Sequence, residues 1–249
     1  MKRRTFVQQL GAAGLAALLP ACGGNGKTLT LRKNQVVACL GDSITATEGP
    51  HGYVQRLQAM ANRDHPELNL QFLNWGKSSE TLTGLTEQDH PGPRPYLFER
   101  LDTLLESTPV DVLFFCYGMN CGIYGPPSRD VFQSFEIGVR TLLEKLKARD
   151  IQAIGLTTPP LVLSEAEKQK LNPPGTYSYL APYPAYDGEV LQKFREILQG
   201  MEHSHLMGTM NIHDPLRAQK TVAYDDDPIH PNAEGHRLIA ETIMGQLSF

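Results

Sequence analysis

Hydrophobic and polar positions along this chain fall into two alternating kinds of block. Near-continuous apolar runs at residues 36–40, 110–117 and 151–156 read as strands buried on both faces. Residues 68–74 alternate and then turn apolar, which predicts another strand, and 206–212 form a weaker last one. Between them the spacing turns helical. Residues 53–62 carry Tyr53, Val54, Leu57 and Ala61 on one face, and 94–106 carry Leu97, Phe98, Leu101, Leu104 and Leu105, with Pro109 marking the end. Helices are also predicted over 132–149, 189–199 and 231–247, the last with Leu238, Ile239, Ile243 and Leu247 toward the core. Strands alternating with helices predict an α/β domain with three layers, α/β/α, around a mostly parallel five-stranded sheet. No internal repeat and no second domain boundary interrupts this rhythm.

One stretch breaks it. Residues 161–187 hold Pro173, Pro174, Pro182 and Pro184 together with Tyr177, Tyr179, Tyr183 and Tyr186, and at most a short helix at 164–170. Long excursions inside compact domains are often functional. The tyrosines either line a substrate groove or pack the excursion onto the body.

Ligands of parallel α/β sheets bind beyond the carboxyl ends of the strands. Ser43, Gly76 and Asn120 each follow such an end, so three sequence-distant residues are expected to meet on one edge. Ser43 stands in Gly41-Asp42-Ser43-Ile44-Thr45. This is not a Gly-x-Ser-x-Gly elbow, because Thr45 occupies the second glycine position. A serine hydroxyl needs a base within hydrogen-bond reach, and the base needs an orienting acid. Of eight histidines, His230 has the best context: Asp227 precedes it by three residues, and Pro228 and Pro231 stiffen the turn.

These blocks resemble those of the SGNH hydrolases, a serine esterase family. Gly41-Asp42-Ser43-Ile44, Asn74-Trp75-Gly76, Gly118-Met119-Asn120 and Asp227-Pro228-Ile229-His230 occur in the family's order. The resemblance implies a flavodoxin-like fold over 35–249. It implies Ser43 as nucleophile, His230 as general base and Asp227 as its orienting acid. The oxyanion donors would be the Ser43 N–H, the Gly76 N–H and the Asn120 side-chain amide. No cofactor or metal is implied. Two positions depart from the family pattern: Cys121 replaces an aspartate after Asn120, and Ser79 replaces a glycine three residues after Gly76. The first bears on the rigidity of its loop, the second on the shape of the oxyanion loop.

Other histidines make poorer sites. His203-Ser204-His205 lacks a surrounding metal-ligand pattern and reads as a solvated loop. His213 and Asp214 are adjacent, and adjacent side chains are not expected to face one another. His236, on the closing helix, is expected to cap or pack, and Asp42 to hydrogen-bond within its loop.

The first residues have a different character. Lys2, Arg3 and Arg4 precede an apolar run from Leu10 to Pro20 that is too short to span a bilayer, so 1–21 reads as a signal peptide. Arg3-Arg4-Thr5-Phe6-Val7 resembles a twin-arginine motif, with the general secretory route as the alternative. Leu19-Pro20-Ala21-Cys22 resembles a lipobox, which implies lipidation at Cys22, a membrane anchor, and residues 22–34 as tether and lead-in. An exported location, periplasmic or at the cell surface, follows. Removing the three cations takes the net charge from -4 to -7, and no basic patch argues for nucleic acid. If Cys22 carries lipid, the other three cysteines cannot all pair within the chain. Cys39 and Cys116 come side by side if their strands are neighbours, but read best as small buried hydrophobes.

The Gly-Met-Asn block followed by Gly122-Ile123-Tyr124 resembles those of carbohydrate-active esterases. A short-acyl esterase acting on carbohydrate or glycan esters is therefore the first expectation. A lipase or lysophospholipase and an inactive glycan-binding module on the same fold are the alternatives.

Overall fold

The computed structural model describes residues 29–169 and 176–249; the signal, the lipobox and Cys22 lie outside them. Five strands, β1 (Val36–Gly41), β2 (Gln71–Gly76), β3 (Val112–Cys116), β4 (Gln152–Leu156) and β5 (Leu206–Met210), form one sheet in the order β2-β1-β3-β4-β5. Every pairing is parallel, so the sheet is wholly and not just mostly so. Each residue of β3 is buried, as its apolar run requires of a central strand covered on both faces.

The helices are α1 (Ser43–Ala46), α2 (Tyr53–Asp64), α3 (Leu101–Ser107), α4 (Arg129–Lys147), α5 (Glu165–Lys168), α6 (Gln192–Gln199), α7 (His213–Ala218), α8 (Lys220–Ala223) and α9 (Ala233–Met244). The chain steps one way from β1 to β2, then back past β1 to β3, β4 and β5. With right-handed crossovers this reversal puts α2 on one face and α3, α4 and α6 on the other. The packing of α2 with α9 and of α4 with α6 completes the two outer layers. The reversal lies between β1 and β3, where such sheets bind ligands. No helix among the described residues is long and apolar enough to cross a membrane.

Several boundaries differ from the sequence reading, each for a local reason. The second strand starts at Gln71 because Leu68 closes a 3-10 turn and Asn69 takes a left-handed conformation (φ 47°) that a strand cannot hold. The helix expected from Arg94 starts only at Leu101: Arg94 precedes Pro95, which biases it away from helical geometry. The last strand stops at Met210 because the Asn211 carbonyl oxygen Oδ1 accepts from the Asp214 N–H at 3.1 Å and turns the chain into α7. Neither α7 nor α8 was expected from the sequence. The short helix of the excursion is capped by Ser164, which accepts from the Glu167 N–H while Glu167 reaches back to the Ser164 N–H.

Candidate active site

Asp42 follows β1 and caps α1: its Oδ1 accepts from the Ile44 N–H at 3.0 Å. Ser43 is therefore the first residue of a helix, where its N–H has no intrahelical acceptor. Gly41 cannot be larger, since a Cβ there would lie 2.2 Å from Thr45 Oγ1 and 2.8 Å from the Cys116 carbonyl. Thr45, in the place of an elbow's second glycine, is buried with its hydroxyl 3.0 Å from Tyr53 Oη.

Ser43 Oγ lies 2.8 Å from His230 Nε2, and His230 Nδ1 lies 2.7 Å from Asp227 Oδ2. Burial alone would push the Asp227 carboxyl up. The bond from His230 and the N–H groups of Ile229 (2.8 Å) and His230 (3.2 Å) outweigh it and hold the group below the usual carboxylate range. An ionised Asp227 only accepts, so Nδ1 carries the proton and the Nε2 lone pair faces the serine hydroxyl. Both side chains are about half exposed, which screens the charge part of the pairing. The turn that carries them is fixed by the Pro228 carbonyl, which accepts from the Val162 N–H, and by Asn232. Asn232 caps α9 and donates to Asp225 Oδ1 and the Val222 carbonyl.

The three expected oxyanion positions part company here. Asn120 is buried beside Ser43; its Oδ1 accepts from Tyr124 Oη at 2.9 Å, and one Nδ2 hydrogen reaches the Glu80 carbonyl at 3.4 Å. That leaves the second amide hydrogen for the cavity they both line. Gly76 does not line this cavity. Its N–H donates to Asn74 Oδ1 at 2.9 Å, which corrects the expectation that it faces the oxyanion. The residue is glycine because a Cβ would sit 2.1 Å from the Ala46 backbone nitrogen, where β2 passes α1. Ser79 lines the cavity instead. It adopts a left-handed conformation (φ 64°), and its N–H has no acceptor among the described residues. The departure from glycine at this position therefore keeps the backbone shape at the cost of strain.

A polar scaffold that the sequence reading missed holds these loops. Glu80 is wholly buried, takes a two-pronged bond from Arg100 (2.5 and 2.7 Å) and accepts from Tyr117 Oη at 2.5 Å. Glu87 and Arg94, both almost fully buried, pair at 2.5 and 2.6 Å, and Arg94 also donates to the Ser79 carbonyl at 3.2 Å. Cys121 is buried and its thiol is pushed up to about 12 by burial; its sulfur accepts from the Leu82 N–H at 3.4 Å. Together with its carbonyl, which accepts from Thr83 Oγ1 at 3.1 Å, it ties the loop after β3 to the loop after β2.

The cavity holds about 310 Å³. Asn120, Tyr124, Arg94, Ser79 and Ile229 surround Ser43 and His230, and Ser78, His90, Pro91 and Tyr179 form the rest of its wall. Both readings of the tyrosine-rich excursion apply, to different residues. Tyr179 lines the cavity. Tyr186 is buried and packs: it donates to the Met119 carbonyl and accepts from the Gly122 N–H.

The remaining expectations are mixed. His236 accepts from the Tyr53 N–H at 3.3 Å and stacks on the Tyr53 ring, so it caps and packs; burial pushes its pKa down to about 4. His213 and Asp214 do face one another, at 2.8 Å, against expectation, but neither lines the cavity. His203 and His205 are mostly covered and pair with Glu144 and Asp150, so they are not a solvated loop. Among the described residues no cluster of His, Cys, Asp and Glu has the geometry to hold a metal ion. β1 and β3 are neighbours, but Cys116 pairs in register with Gly41 and Cys39 with Phe114; both thiols are free and buried.

A buried parallel sheet with a serine–histidine–aspartate chain at its switch point is an arrangement suited to a serine ester hydrolase. The chain belongs to the GDSL-like lipase/acylhydrolase family, whose model matches residues 39–238, and it is a carboxylic ester hydrolase. No curated protein matches its sequence. Among solved structures, Axe2, an acetylxylan esterase from Geobacillus stearothermophilus, superposes with a TM-score of 0.62 at 17% identity over 89% of this chain and 97% of its own. LAE5, an α/β hydrolase enzyme from the metagenome of Lake Arreo, gives 0.58 at 18% identity over 86% and 95%. The psychrotrophic esterase EstA from Pseudoalteromonas sp. gives 0.57 at 21% identity over 86% and 96%. These likenesses carry the fold.

Proposed function

We propose that the protein hydrolyses short acyl esters of carbohydrate alcohols through an acyl-serine intermediate. Ser43 Oγ attacks the ester carbonyl carbon and passes its proton to His230 Nε2, while Asp227 holds the imidazole tautomer and the imidazolium that forms. The carbonyl oxygen becomes negative and is met by the N–H groups of Ser43 and Ser79 and the Asn120 amide. Preorganised donors of this kind are worth on the order of 100-fold or more each. Collapse breaks the carbon–oxygen bond, the alcohol leaves with the proton from His230, and water repeats the sequence on the acyl-serine. The observation that carries the reading is the unbroken chain from Ser43 through His230 to Asp227, at 2.8 and 2.7 Å.

The short-acyl preference is supported by Tyr124 and Arg94, bulky buried groups that line the cavity together with Asn120. The carbohydrate preference is supported by the aromatic and hydroxyl lining and, by fold analogy alone, by a neighbour named as an acetylxylan esterase. We further propose, from the sequence alone, export and anchoring through lipid on Cys22. Loss of fatty-acid labelling in Cys22→Ser tests that part.

Acetyl and octanoyl p-nitrophenyl esters, compared side by side, test the enzymatic reading. Acetyl turnover that falls by about 1,000-fold or more in Asp227→Asn is expected. Octanoyl preference would replace it with a lipase, and a folded protein with no turnover would replace it with a binding module.

A further inference from the structure

We propose that His90 and Tyr179 form the subsite for the alcohol half of the ester and select a cyclic polyol over a simple alkyl alcohol. The inference rests on the esterase reading above. The two residues come from loops far apart in sequence, yet their rings meet at 6.1 Å with planes 69° apart on the wall of the cavity that holds Ser43. A saturated ring lying flat on one of these planes presents its edge to the other.

Both loops are fixed in place, so this wall is preformed. The His90 loop is closed by the buried Glu87–Arg94 ion pair, by the Arg94 N–H to Thr86 Oγ1 at 2.9 Å and by the His90 N–H to the Glu87 carbonyl at 3.3 Å. Tyr179 sits in a tight turn in which Ser178 and Ala181 exchange backbone bonds at 3.0 and 3.2 Å. That turn is tied to the Asn120 loop by the Tyr183 N–H, which donates to the Tyr124 carbonyl at 2.8 Å, and by Tyr186. A wall ordered before the ligand arrives loses little entropy on binding.

The chemistry of the two rings matches a polyol. His90 Nδ1 lies 2.7 Å from the Gly92 carbonyl, which only accepts, so Nδ1 carries the proton. Nε2 is left as an acceptor with no partner among the described residues, available to a hydroxyl beside the ester. The Tyr179 ring offers an apolar face to the C–H groups of a sugar ring, and its hydroxyl is also without a partner among the described residues. An alkyl alcohol uses neither hydrogen-bonding group, and sites built to bind a hydroxyl reject analogues that lack it.

The test compares an acetylated methyl xyloside with ethyl acetate for wild type, His90→Ala, Tyr179→Ala and Tyr179→Phe. In parallel, the binding of the same xyloside to Ser43→Ala, alone and combined with His90→Ala, is followed by ligand-observed NMR. The ratio of kcat/KM for the xyloside to that for ethyl acetate is expected to fall about tenfold in His90→Ala and in Tyr179→Ala. Tyr179→Phe, which keeps the ring face and loses only the hydroxyl, is expected to lower the ratio by less than Tyr179→Ala does. An unchanged ratio in both alanine variants overturns the subsite while leaving the esterase intact. Wild type that turns over neither ester overturns the esterase reading, and NMR then judges the subsite by itself: xyloside binding lost with His90 supports it, and binding indifferent to His90 overturns it.

Discussion

Tyr124 donates its phenol to Asn120 Oδ1 at 2.9 Å, and both side chains are buried against the cavity that Ser43 faces. An amide whose oxygen is pinned in this way can present its nitrogen in only one direction. Tyr124→Phe removes the pin and leaves a buried carbonyl without that donor, at about 1–3 kcal/mol of stability. It is expected to lower kcat for p-nitrophenyl acetate by ~10-fold or more with a smaller change in KM, since the misplaced donor matters most in the transition state. Steady-state kinetics checks this. An unchanged kcat would mean that Asn120 is oriented by other contacts.

Asp42 supplies a pH dependence that does not run through the reaction. Its carboxyl is buried, which pushes its pKa up to about 6 against the pull of the Ile44 N–H and of His230. In the unfolded chain it titrates near 4. Between about pH 4 and 6 the unfolded state releases a proton that the folded state keeps, so the contribution of Asp42 to stability falls as pH rises and levels off above. The difference amounts to about 3 kcal/mol at most. Asp42→Asn keeps an oxygen for the Ile44 N–H and cannot ionise. Its Tm relative to wild type should therefore rise between pH 4 and pH 7.5, as thermal melts at the two values would show. An equal offset at both would place the Asp42 titration elsewhere.

Ser79 holds a left-handed conformation (φ 64°) that costs a non-glycine residue about 1 kcal/mol or more. Glycine recovers that strain and gives part of it back as backbone entropy in the unfolded chain. Ser79→Gly is expected to raise Tm by about 1–3 °C, and Ser79→Val, whose branched side chain tolerates this region worst, to lower it. Melting curves of the two variants decide this.

Most of the frame was legible in the sequence because buried parallel strands are written as continuous apolar runs, which need no partner to be recognised. The pairing of His230 with Asp227 was legible for a similar reason, since three residues on a stiff turn suffice to bring them together. The donors opposite them were harder. Gly76 and Ser79 are three positions apart, and only the folded structure shows that the Gly76 N–H is taken by Asn74 while Ser79 lines the cavity. The buried pair Glu87–Arg94 and the bonds from Arg100 and Tyr117 to Glu80 were invisible because each joins residues whose closeness is tertiary. The one local signal was Pro95, which biases Arg94 away from helical geometry and so argues against a helix that starts there.

The most direct test of the account is covalent. A serine-directed alkyl phosphonate should add one phosphonyl group to wild type, and peptide mass mapping should find it on Ser43. Acetyl ester turnover should vanish in step with labelling and be absent in Ser43→Ala. Asp226→Ala, an exposed neighbour of the His230 turn, should label like wild type. A label on another residue, or turnover that survives in Ser43→Ala, would contradict the central claim.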